Sequence, residues 1–212
     1  MKEVYFVKSL EEDFATKSLK GNKKLTCQTL SNIIKTKTII PNTISFGRKR
    51  RLSCTILDKS YNKTYRPQGI IFQTDKIPDY IFPFDLVVLS AADNIIVHYY
   101  RIKNNLQLYY NHSLIKGFEK FVFKNFQTMI KSVKSPKVAW KKVNDFRRKN
   151  GYNELKKQKY RLVEYNEAVF HNRIRINPIG VVGYRKKARE VAKKLGLPCF
   201  ISAKKFYQSL NK

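Results

Sequence analysis

The sequence predicts an α+β fold, a single domain over residues 1–212 with a mostly antiparallel, split sheet and packed helices. Three observations predict it: a β-rich run beginning at Gly69, apolar stripes at helical spacing before and after that run, and a return of short branched and aromatic segments past residue 160.

Taken in order, residues 3–7 (EVYFV) read as a short strand and the polar stretch through Asn22 as a surface connection. Leu25-Thr26-Cys27-Gln28 reads as a strand edge feeding one helix, in which Leu30, Ile33 and Ile34 share a face before Pro41-Asn42 turns the chain. Phe46 to Arg66, with GRKRR and several turn formers, shows no clean period and reads as a long loop, a kind of segment that often carries function. GIIFQT, FDLVVLS, NIIVHYYRI and NLQLYY then read as strands, the last two joined as a hairpin at Lys103-Asn104. Leu114, Phe118, Phe121, Val122, Phe126, Met129 and Ile130 predict one long amphipathic helix. Ser135 as N-cap with Pro136 behind it opens a second, with Val138, Val143 and Phe146 inward and a stop at Asn150-Gly151. After the basic linker NELKKQKY, RLVEYNEAVF and RIRINPIGVVGY read as strands. A helix bearing Ala188, Val191, Ala192 and Leu195 ends at Gly196, PCFIS gives a last strand, and AKKFYQSL a terminal helix capped by Ser202.

Composition narrows the partners. The chain of 212 residues carries 44 Lys+Arg against 15 Asp+Glu, a net charge of +29, with 42% hydrophobic and 13% aromatic residues. That much apolar material can bury a core, and the excess charge draws polyanions over long range, so the expected partner is nucleic acid. A Lys-rich composition bias would raise the acids as well, which this chain does not show. The field is strongest in the C-terminal half (131–212): residues 131–161 hold twelve Lys or Arg against Asp145 and Glu154. Lys141, Lys142, Arg147, Arg148, Lys156, Lys157 and Lys159 are the candidate nucleic-acid contacts. Trp140, Phe146, Tyr152, Tyr160, Tyr184, Phe206 and Tyr207 interleave with the charge as core residues or as faces for unstacked bases.

No run approaches the roughly 18 apolar residues of a membrane span, and Glu11, Glu12 and Asp13 do not suit a secretory leader; the expectation is a cytoplasmic chain without a membrane partner. Cys27, Cys54 and Cys199 lack CxxC spacing, and His98, His112 and His171 lack metal-ligand spacing, so no metal is expected. Neither a P-loop nor a GxGxxG fingerprint is present. Asp85, Glu119, Glu164 and Glu167 are the acids from which a metal-dependent nuclease would have to be assembled.

The sharpest local signal is Glu164-Tyr-Asn-Glu167, two acids in a stretch saturated with Lys and Arg. Residues three apart on a strand face opposite ways, so one of the two is the candidate for chemistry. The bland alternative pairs them with Arg161, Arg173 or Arg175.

Three stretches resemble the single-domain ADP-ribosyltransferases, and in particular the DarT toxins that modify DNA bases using NAD. LTCQTLSNIIKTKTIIPN resembles their opening strand, NAD-approaching helix and turn; EAVFHNRIRINPIGVVGY resembles their catalytic Glu strand; LPCFISAKKFY resembles their closing strand and aromatic end. The chain departs from the family at the first strand, where Thr26, Cys27 and Gln28 stand in place of a His followed by Thr. The resemblance implies an enzyme using NAD as substrate, with a base in a single strand of DNA or RNA as acceptor, and a neutralising antitoxin protein as a further partner. It implies Glu167 as the catalytic carboxylate and Arg51, Arg48 or Arg50 at the pyrophosphate. Thr26 or Gln28 would orient the nicotinamide amide, and Tyr80 or Phe82 would stack on its ring. A non-catalytic basic nucleic-acid-binding protein and a metal-dependent nuclease are the competing readings.

Overall fold

The computed structural model describes residues 4–9, 30–41, 43–45, 49–64, 68–89, 97–102, 105–110 and 113–210. Its strands are β1 (Phe6–Ser9), β2 (Thr38–Ile39), β3 (Thr43–Ser45), β4 (Lys49–Ile56), β5 (Gly69–Gln73), β6 (Tyr80–Phe82), β7 (Val97–Ile102), β8 (Asn105–Tyr110), β9 (Ser113–Leu114), β10 (Glu167–Phe170), β11 (Ile174–Arg175), β12 (Asn177–Val182) and β13 (Cys199–Phe200). The helices are α1 (Leu30–Thr36), α2 (Phe126–Val133), α3 (Pro136–Lys149), α4 (Lys186–Lys194) and α5 (Ala203–Ser209). Short 3₁₀ turns cover Leu86–Leu89, Glu119–Phe121 and Lys157–Val163.

The central sheet runs β13-β12-β5-β1-β4-β10-β6, with β3 added on β4. Every pairing in it is antiparallel except β12 with β13. The fold is therefore α+β with a mostly antiparallel sheet, as the sequence predicts. β7, β8 and β9 form a separate three-stranded sheet, and β7 pairs with β8 from Val97↔Tyr110 to Ile102↔Asn105, the hairpin read from the sequence.

Four elements differ from the sequence reading. The stretch read as a loop holds β4, near the middle of the sheet. Leu52, Cys54 and Ile56 point into the main core, and Arg51, Ser53 and Thr55 alternate with them on the other face. FDLVVLS is not a strand: β6 precedes it, and Leu86–Leu89 is a 3₁₀ turn. The single long amphipathic helix divides into β9, a 3₁₀ turn and α2. Gly117 takes φ of +83°, which breaks the first part, and Asn125 restarts the chain by accepting N–H bonds from Gln127 and Thr128. RLVEYNEAVF is a 3₁₀ turn as far as Val163 and becomes strand only at Glu167.

The other helices follow their caps. Ser135 accepts from Val138 N–H with Pro136 behind it, and Ser202 accepts from Lys205 N–H. One sheet face carries the main core, where Phe6, Cys54, Ile70, Phe72, Ile81, Ala168 and Phe170 meet α1, α2 and α4. On the other face two clusters flank β4. Tyr80, Phe82 and Val169 pack on Ala139, Val143 and Phe146 of α3, and Val7, Ile71 and Val182 pack on Ala203 and Phe206 of α5. β5 lies so close to β1 that a Cβ at Gly69 would meet the Lys8 carbonyl oxygen at 2.3 Å. No helix among the described residues is long and apolar enough to cross a membrane.

Candidate functional site

Between the two clusters, on the α3–α5 face, runs a polar strip carried by β4. Glu167 opens β10 opposite Phe82 and faces that strip. It is 6% exposed, and its Oε1 accepts the Ser53 Oγ–H at 2.5 Å and lies 3.3 Å from Arg51 Nη1. Its Oε2 accepts the Leu86 N–H at 3.0 Å.

Each partner is positioned by the fold. Arg51 and Ser53 are two apart on β4 and so share a face. The Leu86 amide begins a 3₁₀ turn anchored by Asp85, whose N–H donates to the Leu162 carbonyl at 2.9 Å and whose Oδ2 accepts the Tyr165 Oη–H at 2.8 Å. The register of β10 is fixed by Asn166. Its side-chain amide accepts from Ile56 N–H at 2.8 Å and donates to the Ile56 carbonyl at 2.7 Å, two positions beyond the last paired residues, Ala168 and Cys54.

A carboxylate offers about four acceptor positions. Among the described residues the Ser53 hydroxyl bonds Oε1 and the Leu86 amide bonds Oε2, with Arg51 beside Oε1. The strip thus presents a guanidinium, a hydroxyl and a carboxylate side by side, enclosed by apolar walls where water screens charge poorly.

On the opposite face of the same strand Cys54 is buried among apolar residues. Burial pushes its thiol from 9.0 up to about 12, with Lys8 opposing and Glu167 adding to the rise. It is not a nucleophile at neutral pH.

The other sequence-predicted residues fall in several places. Thr26, Gln28 and Arg48 lie outside the described residues. Arg50 is on β4 next to Arg51. Tyr80 and Phe82 are 2% and 0% exposed inside the α3 cluster, so neither offers a ring to a ligand, a correction to the expected stacking role.

Arg147 is also corrected. It is fully buried, donating from Nε to the Asn153 carbonyl at 2.8 Å and from Nη1 to the Leu89 carbonyl at 2.5 Å, and cannot reach a nucleic acid. Lys141, Arg148, Lys156 and Lys157 are exposed, and Lys142 and Lys159 half-buried. Arg148 is paired with Asp145 and Glu154, and Lys142 donates to the Ser132 carbonyl at 2.8 Å. Trp140 and Tyr160 form an edge-to-face pair with ring centres 5.4 Å apart among these cations.

The acid partners also differ from expectation. Glu164 lies ahead of the strand and pairs with Lys63, while Glu167 pairs with Arg51, not with Arg161, Arg173 or Arg175. Ser53, Leu86 and Asn166 were not singled out from the sequence. The alternation Arg51-Leu52-Ser53-Cys54-Thr55-Ile56 is the signal that reveals Ser53. Among the described residues no group of three or more His, Cys, Asp or Glu gathers as metal ligands would.

Comparison with family models, with curated proteins and with solved structures returned no significant match.

Proposed function

We propose that the chain transfers ADP-ribose from NAD to a base of a single-stranded nucleic acid, with Glu167 as the catalytic carboxylate. The observation that carries this reading is the arrangement of Glu167: buried, oriented by Ser53 and the Leu86 amide, and beside Arg51. NAD supplies the transferable group: the bond from ribose C1′ to the nicotinamide nitrogen breaks, its electron pair leaves with nicotinamide, and a base nitrogen forms the new bond to C1′ and releases its proton to solvent.

The chain's own residues supply positioning and charge. Glu167 accepts a hydrogen bond from a ribose hydroxyl and sets negative charge beside the carbon where positive charge develops. Arg51 holds the diphosphate by charge-assisted hydrogen bonds, and Ser53 keeps the carboxylate from rotating. The acceptor strand lies along the exposed lysines of α3 and the following turn, which pack on the same sheet face as Glu167. A base inside a duplex hides its edge, so the strand is single.

The test incubates the full chain with NAD and single-stranded DNA or RNA oligonucleotides and reads oligonucleotide mass. A gain of one ADP-ribose is expected, abolished in Glu167→Gln and reduced in Ser53→Ala, with both variants checked for an unchanged melting profile. An oligonucleotide that binds but never gains mass makes the chain a binding protein and Glu167 a strut between β10 and β4. Cleavage that needs magnesium would instead favour a nuclease.

A further inference from the structure

A cavity of about 1000 Å³ opens on the sheet face opposite Glu167. Its floor includes Phe6, Ile56 and Ile81 from the main core, and Phe126 at the start of α2. Its rim carries Lys76, Lys124 and Arg175 against one acid, Asp75.

Two of these cationic residues are joined through their backbones by a single hydroxyl. Thr74 Oγ1 donates to the Arg175 carbonyl at 2.7 Å and accepts the Lys76 N–H at 3.2 Å, so it ties the two backbones at one point of the rim. Among the described residues no ion pair engages either side chain. Both residues line the same rim, and an anion bound there would be attracted by both charges. The lining adds the amides of Gln73, Gln127 and Asn177, each with a donor and an acceptor side by side.

An apolar, partly aromatic floor, paired donors and acceptors, and two cations on one rim match the three parts of a nucleotide: ring, ring edge and phosphate. A purely apolar ligand would leave the amides and cations unused. The volume is at the upper end for small-ligand sites. We propose that this cavity is a nucleotide-binding site separate from the Glu167 strip, with the base against Phe6, Ile81 and Phe126 and the phosphate between Lys76 and Arg175. The proposal goes beyond the transferase reading and does not depend on it.

The test titrates the full chain by calorimetry with AMP, dTMP, inorganic phosphate and a short single-stranded oligonucleotide. Glu167→Gln and the double variant Lys76→Glu/Arg175→Glu are titrated in parallel. Expected is saturable nucleotide binding at least tenfold tighter than phosphate, weakened at least tenfold by the double variant with melting unchanged, and unaffected by Glu167→Gln. Binding of AMP or dTMP makes the ligand a free nucleotide. A loss in the double variant seen with the oligonucleotide alone makes it a nucleotide within a strand. Phosphate binding as tight as nucleotide, no saturable binding, or equal affinities in wild type and double variant would overturn the proposal. Because the Glu167→Gln arm carries no transfer activity under the reading above, failure there and failure here are separately visible.

Discussion

The two faces of β4 differ in kind although they alternate residue by residue. Leu52, Cys54 and Ile56 enter a continuous apolar core, whereas Arg51, Ser53 and Thr55 form a polar strip between two apolar clusters. Burying polar groups costs stability unless they are paired, and the strip meets that cost with the Glu167, Ser53 and Leu86 contacts. Replacing such a buried ionic strip by apolar residues of similar volume is often neutral or stabilising.

Substitutions at neighbouring positions on the two faces should therefore separate activity from stability. The largest effect expected is in Glu167→Gln, with a loss of transfer of about 1000-fold, the upper range for removing one preorganised electrostatic group. Cys54→Ala, on the other face, should lower stability and leave transfer per folded molecule unchanged. Transfer assays normalised to folded fraction check both.

A second contrast sets Arg147 against Arg148. Arg147→Met leaves the buried Leu89 carbonyl without this donor and removes the part-buried bond to the Asn153 carbonyl, and should cost about 3 kcal/mol in urea unfolding. Arg148→Ala removes an exposed pair and should shift stability by less than about 1 kcal/mol. Asn166→Ala, which removes two buried bonds to Ile56, should fall between them at about 2 kcal/mol.

Much of this contrast was legible in the residues. The caps at Ser135 and Ser202 show because a hydroxyl followed by a helical stripe has one local use. β4 did not show, because the basic run GRKRR hides a period of two inside what looks like a solvated loop, and only pairing on both sides makes it a strand. Glu167 stood out as an acid among cations, but its partners lie 114 and 81 residues away in sequence at Ser53 and Leu86, and no local pattern encodes that closure. Arg147 looked like its neighbours because charge alone does not reveal which face of a helix is covered.

Cys54 gives a pH signature for the apolar face. In the unfolded chain the thiol ionises near its ordinary value, while in the fold it stays protonated up to about 12. The folded state then binds more protons across that window, so this contribution to stability is complete below the ordinary value and is lost as pH rises towards 12. Unfolding of wild type and Cys54→Ala between pH 8 and 11 reads it, with the variant expected to show the shallower decline. The smallest effect is expected at the exposed lysines: each of Lys141→Ala, Lys156→Ala and Lys157→Ala should reduce the salt slope of oligonucleotide binding by about 1.

The Asn166 amide has a consequence for errors in assembly. Sliding β10 by one position would swap its inner and outer side chains, sending Glu167 into oil and Ala168 to the strip. A side chain that bonds both backbone groups of Ile56 accepts only one alignment, so it works as a proofreading tooth: mispaired chains lose two bonds at once, and the correctly threaded carboxylate is the one that survives.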